Sequence, residues 1–270
     1  MVAEAVAGTA PGARADRRSQ FYLWLTVAMA ATAFLGFAPT FWVPLAQGIP
    51  ERIGVLAIHG ALYFGWSLFL IYQAWLVASG RTARHRDVGI IGVSLATAMV
   101  IFGVLAAINS ALRADAAGAR VAGEAFMIVP MSAMLSFAAL ITAAIVNSRR
   151  AGWHKRFILS ASAILLDAPI ARPFTIYFAM GGHPPPFQGN VGLAGVGGPP
   201  PPVAAVLIPG LLAWSFIAAG MVRDWRVLGK VHPAYWLGGT LALAVMLLRI
   251  PFSETALWHD FARSVIALAG

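Results

Sequence analysis

Apolar runs of about twenty residues, separated by short polar breaks, recur along almost the whole chain. A hydrocarbon core of ~30 Å takes about 20 apolar residues per crossing helix. On that ruler seven spans are predicted, at 21–46, 53–79, 88–109, 123–147, 156–180, 203–222 and 233–250. Residues 20–250 therefore read as one transmembrane domain, an all-α integral membrane bundle of seven helices. Residues 1–19 are small, polar and basic, ending in Arg14, Arg17 and Arg18, and read as a disordered cytoplasmic tail. The apolar run that follows is too long for a signal-peptide core and shows no small-residue cleavage site, so it reads as a retained anchor. Residues 251–270 are too short to span; Trp258, Phe261 and Val265 are spaced along one amphipathic face, which suits a segment lying in the interface. The uncharged, Gly- and Pro-rich stretch 181–202 reads as an external spacer between spans five and six rather than a packed domain or a lid.

Composition supports the membrane reading. Of 270 residues, 60% are hydrophobic and 11% charged, and mean hydropathy is +0.78. A soluble domain carries about 25% charged residues to face water, so soluble and disordered classes are both excluded. The absence of cysteine removes disulfides, thiolate metal sites, iron–sulfur clusters and cysteine nucleophiles.

A net charge of +9 would suit a nucleic-acid partner in a soluble protein, but its distribution argues otherwise. With the amino terminus inside, the tail and the loops at 80–87, 148–156 and 223–232 hold thirteen Lys and Arg, against five at the other side. That asymmetry follows the positive-inside rule. It implies anionic lipid headgroups as the partner of the basic loops and no nucleic acid.

A weak repeat runs through the basic loops, GRTARHRDVG, RRAGWHKRFI and VLGKVHPAYWLGG. In each, a histidine opens the next outward span: His85 four residues after Arg81, His154 four after Arg150, and His232 more loosely after Lys230. Three related hairpins plus one added helix would give this pattern. The segment from His59 through Gln73, Leu76, Val77, Gly80, Arg81, His85, Arg86 and Gly89, the run Trp153 to Ala161 (WHKRFILSA) and the turn Gly229 to Pro233 resemble a group of uncharacterised bacterial multi-span membrane proteins. Phe157 and Ile158 stand where that group has Leu and Met. The resemblance covers roughly 53–250 and implies a multi-pass protein of the bacterial inner membrane, without an activity to carry over.

Two layers of side chains could carry chemistry. The inner layer holds His85, His154 and His232, flanked by Arg86, Lys155 and Arg156, all near the amino-terminal ends of outward helices. Such groups suit lipid headgroups or another anion; alternatively, paired imidazoles at equal depth could grip a haem iron. The outer layer follows from helix rise. At ~1.5 Å per residue, His59 lies roughly 9 Å below the outer edge, Arg172 about 24 Å above the inner edge with Arg249 close to its height, and Asp167 near the midplane. Glu124 opens span four just above them. Ionisable groups at such depth cost ~2.5–3.5 kcal/mol each on insertion scales, so they pair and face the bundle interior. Asp167 and Arg172 point apart on one helix, so Arg172 is expected to meet Glu124 or a carbonyl freed by Pro173.

Glu124, Met127, Met131 and Met134 share a helix face that, with His59, offers soft ligands for copper; packing is the better account of methionines at this spacing. No nucleotide-binding or familiar hydrolase motif occurs. The residues point to a non-enzymatic protein binding or transporting a small, anionic ligand in an outward-facing pocket formed by His59, Glu124, Asp167, Arg172 and Arg249, with no cofactor. A b-type haem protein using pairs among His85, His154, His232 and His59 and an accessory subunit of a larger membrane complex are the alternatives; the oligomeric state is open.

Overall fold

The computed structural model describes residues 11–48, 54–174 and 200–269. The first ten residues of the expected tail, the end of span five at 175–180 and most of the 181–202 loop lie outside the described residues. Among those described, the fold is all helix: α1 (Pro11–Gly36), a π-helical turn (Ala38–Trp42), α2 (Val43–Ala46), α3 (Val55–Ala78), α4 (Thr82–Ala116), α5 (Arg120–Val146), α6 (Ala151–Ile164), α7 (Asp167–Phe174), a 3₁₀ turn (Val203–Val206), α8 (Leu207–Leu228), α9 (Pro233–Ser253) and α10 (Ala256–Ala269). Six helical segments are long and apolar enough to cross a bilayer, α6 and α7 together making one of them. The bent pair of α1 and its continuation to Ala46 raises the number to seven if it is one span. Several boundaries differ from expectation: α4 extends beyond 88–109 at both ends, α8 runs past 222 to Leu228, and α1 begins at Pro11, so 11–19 continues the first helix. Proline at the start of a helix costs no hydrogen bond, because the first N–H groups have no partner there.

Proline sets the breaks. Pro39 has no N–H and its ring crowds the carbonyl four residues back, and α1 ends at Gly36 with a bend of 42°. Pro169 does the same to Leu165, and α6 stops at Ile164 before α7 restarts at Asp167. The two breaks meet. A side chain on Gly36 would overlap the Pro169 carbonyl, the acceptor left without a helical donor by Pro173.

Consecutive helices pack as antiparallel hairpins, and α5, α6, α8 and α9 close the centre. Half of the α5 window is buried within the protein, against 6% for α3, so α5 is the core helix and α3 the flank. Three apolar clusters fill the interior. One joins Trp66, Met99, Phe137, Leu140 and Phe157. A second joins Met29, Leu159, Ile217 and Tyr235. The third gathers Met127, Ile128 and Val203 under Trp258, Ala262 and Ile266 of α10. The outward faces remain apolar, with Leu35, Ile90, Leu135 and Leu248 exposed, as a lipid-facing surface requires. α10 turns its Trp258–Ala262–Ile266 face into the bundle against α4 and α5 and leaves Phe261 exposed, a face rotated from the expected Trp258–Phe261–Val265 set.

Candidate functional site

The α6–α7 break positions the outer group. Asp167 opens α7 and faces Arg249 of α9, with Arg249 Nη1 3.5 Å from Asp167 Oδ2 and both side chains largely buried. The pair borders a cavity of about 30 Å³ whose wall also includes Ser136 of α5 and Gly210 and Trp214 of α8. Roughly 10–15 Å³ accommodates one water, so the space suits two waters or one small ion. Arg249 Nε is buried without a hydrogen-bond partner, and a buried donor left unmade costs ~1–3 kcal/mol.

Arg172 lies further along α7. Its Nη1 donates to the Ala168 carbonyl at 2.9 Å, and its guanidinium stacks 4.0 Å from the Phe37 ring centroid. Its charge acts on both Asp167 and His59. His59 stacks on Tyr63, centroids 4.1 Å apart. The Tyr63 hydroxyl lies 3.2 Å from the Met99 carbonyl and 2.7 Å from Met134 Sδ. Four of the five outer candidates, His59, Arg172, Asp167 and Arg249, thus lie in one polar neighbourhood, in which Asp167 and Arg249 pair and reach the cavity.

Glu124 stands apart from it. Its Oε2 is 2.8 Å from His259 Nδ1, and its backbone carbonyl accepts from Trp258 Nε1 at 2.8 Å. The expected meeting of Glu124 with Arg172 is therefore not formed, because α10 folds back over the start of α5 and supplies the partner. The methionine face is divided as well. Met127 packs in the apolar cluster beneath α10, whereas Met134 meets Tyr63.

At the other end the loops place the histidines. His85 and His154 are each the fourth residue of their helices, after an arginine at the N-cap. His154 Nδ1 lies 2.9 Å from the Ala144 carbonyl of α5. A carbonyl only accepts, so Nδ1 carries the proton and Nε2 the lone pair. His85 is hydrogen-bonded to the backbone of Gln73 on α3, and its Nδ1 is buried without a partner. The two rings stand 6.3 Å apart, edge to face at 76°.

His232 behaves differently. It is itself the N-cap of α9, its Nδ1 accepting from the Ala234 N–H at 3.1 Å, and its ring meets Trp153 at 5.0 Å. Burial first, then the Arg156 guanidinium, push its pKa below the usual histidine value. Of the inner histidines, His85 and His154 are the ones brought ring to ring.

The expected headgroup role of Arg156 is overturned. Arg156 is 3% exposed and grips Asp224 of α8, Nε to Oδ2 at 2.7 Å and Nη2 to Oδ1 at 2.5 Å, while Nη1 donates to the Gly152 carbonyl. Asp224, wholly buried, also accepts the His232 backbone N–H at 3.3 Å. One turn into α6 the arginine already faces α8, and an unpaired guanidinium there would be costly. Lys155 instead stacks over Tyr22 at 4.4 Å, and Arg86 is exposed.

Four residues that matter were not among the sequence candidates. Asp224 was hidden as one acid among Arg223, Arg226 and Lys230; its signal is being the sole carboxylate of that loop. Gln73 is the lone side-chain amide of α3, buried with both side-chain polar atoms unpartnered. His259 and Tyr235 carried no local signal, because their partners are distant in sequence. Comparison of the chain with family models, curated proteins and solved structures finds no match in any of the three.

Proposed function

We propose that the chain is a non-enzymatic multi-pass protein of the bacterial inner membrane, with seven spans and a cytoplasmic amino terminus, that binds or passes a small anion at an outward-facing Asp167–Arg249 centre. The observation that carries this reading is the buried pair beside the 30 Å³ cavity, with Arg249 Nε unpartnered at its edge. Asp167 holds Arg249 at the cavity wall, and the unpartnered Nε–H of Arg249 is the charge-assisted donor that an anion there would take. The cavity volume limits that anion to a halide or something of similar size. The bias of thirteen basic residues against five supports the orientation.

The test is anion flux from vesicles carrying the purified full chain, with chloride, bromide and nitrate as probes, together with bromide binding by calorimetry. Arg172→Ala and the paired change Asp167→Asn with Arg249→Gln, which leaves no lone buried charge, should each abolish binding and flux while the protein stays monodisperse. Wild-type vesicles that neither bind nor pass these anions, or variants that match wild type, refute the proposal.

A further inference from the structure

Gln73, His85 and His154 meet where the first two hairpins touch, and we infer that they form a binding site for a single late transition-metal ion, copper ranking first. The inference is independent of the anion centre, which lies on α7 and α9.

Depth and facing come from the helix register. Trp66 Nε1 on α3 donates to Ser162 Oγ on α6 at 3.1 Å. Gln73 is two turns further along α3 on the same buried face, a descent of ~10.5 Å, and His154 lies eight residues back along α6, a descent of ~12 Å. The two therefore sit at one depth. His85 joins them directly, being bonded to the Gln73 backbone and ring to ring with His154.

Unmet hydrogen-bonding capacity is present here. Gln73 is 7% exposed, and both its Oε1 and Nε2 lack partners, as does His85 Nδ1. Buried polar atoms of this kind are rare unless something unseen satisfies them. The donor set says what that something is. Each imidazole reaches back across its own hairpin to a backbone carbonyl, His154 to Ala144 and His85 to Gln73. Each is thereby held with one nitrogen protonated and the other free, the outer-shell arrangement that orients metal-ligating histidines. With metal–nitrogen bonds of ~2 Å and half an imidazole on either side, a ring separation of 6.3 Å spans one ion. Two imidazole nitrogens and an amide oxygen suit copper, nickel or zinc, and copper binds such sets most tightly. A haem would use the same two nitrogens, and the visible spectrum separates the two cases.

The test uses the full chain in detergent, stripped with a chelator and titrated with Cu(II), Ni(II) and Zn(II). One ion per chain is expected, in the affinity order copper, then nickel and zinc, with a rise in melting temperature on loading. Because altering an outer-shell partner alone costs ~10–100-fold in affinity, His85→Gln and His154→Gln should each lose at least ~10-fold, whereas His232→Asn binds as wild type. In the unmutated protein the Cu(II) electron paramagnetic resonance spectrum should show coupling to two imidazole nitrogens, a readout that needs no variant to fold. No stoichiometric ion on the folded wild type, a spectrum without nitrogen coupling, or unchanged affinity in the two glutamine variants overturns the site. A Soret band in protein purified from haem-supplied cells overturns it in favour of haem iron.

Discussion

Removal of Asp224 should destabilise the protein more than removal of its partner Arg156. Side-chain exposure at the pair is 4% for Arg156 and nil for Asp224, so neither charge can fall back on water. Asp224 holds Arg156 through two short bonds, receives the His232 N–H, and lies 3.8 Å from a second guanidinium, Arg223 Nη1. Deleting one partner of a buried ion pair costs ~3–5 kcal/mol, because the other is left as an uncompensated charge. Asp224→Ala strands Arg156 in the interior and uncaps the His232 backbone, and belongs at the top of that range. Arg156→Ala leaves Asp224 with Arg223 close by, and belongs at or below the bottom. Replacing both, with Arg156→Met and Asp224→Leu, removes the desolvation problem together with the attraction, and should recover all but ~1–2 kcal/mol. The assay is denaturant unfolding in detergent micelles followed by tryptophan fluorescence, comparing midpoints at constant slope. Single-variant losses below ~1 kcal/mol, or a double variant whose loss equals the sum of the singles, would refute the view that the two charges compensate each other in a dry interior.

Two further stability predictions come from other contacts. A Cβ on Gly220 would overlap the Tyr235 hydroxyl, so Gly220→Ala should cost ~1–3 kcal/mol of overpacking, and adding Tyr235→Phe should return part of it in the same assay; equal stability of Gly220→Ala and wild type would contradict this packing. The depressed pKa of His232 means that the folded state favours the neutral, capping ring, so stability is full above the unfolded-state value of ~6.5 and falls as pH drops through it. The slope attributable to this residue cannot exceed ~1.4 kcal/mol per pH unit, and His232→Asn, which keeps a capping side chain, should flatten the curve between pH 7 and 5; an unchanged slope would show that the ring does not titrate with folding.

How far the chain could be read without its structure varies by residue. The spans were legible because lipid demands apolar length, and the break before Asp167 because Pro169 removes a donor and crowds a carbonyl, whereas the bend at Pro39 falls inside a span expected to run unbroken from 21 to 46. The similar heights of His59, Arg172 and Arg249, with Asp167 deeper, were read from rise per residue alone, since depth in a bundle is a one-dimensional property. Pairing is not. Glu124 shares that outer region and yet bonds His259, because α10 returns across the bundle end, and Arg156 turns away from the headgroups because one turn of helix points it at α8.

Sequence by itself determined the class of the protein and the approximate positions of its helices, and gave an expected relative depth for the polar groups it singled out, all of which depend on composition and on distance along a single helix. Only the tertiary structure decided which of those groups touch: Arg249 with Asp167, Asp224 with Arg156, and His85 with His154 and Gln73. The physical reason is that rotation of each helix about its axis is set by packing against neighbours far away in sequence. A buried charge or lone pair finds its partner across that packing and not along the chain.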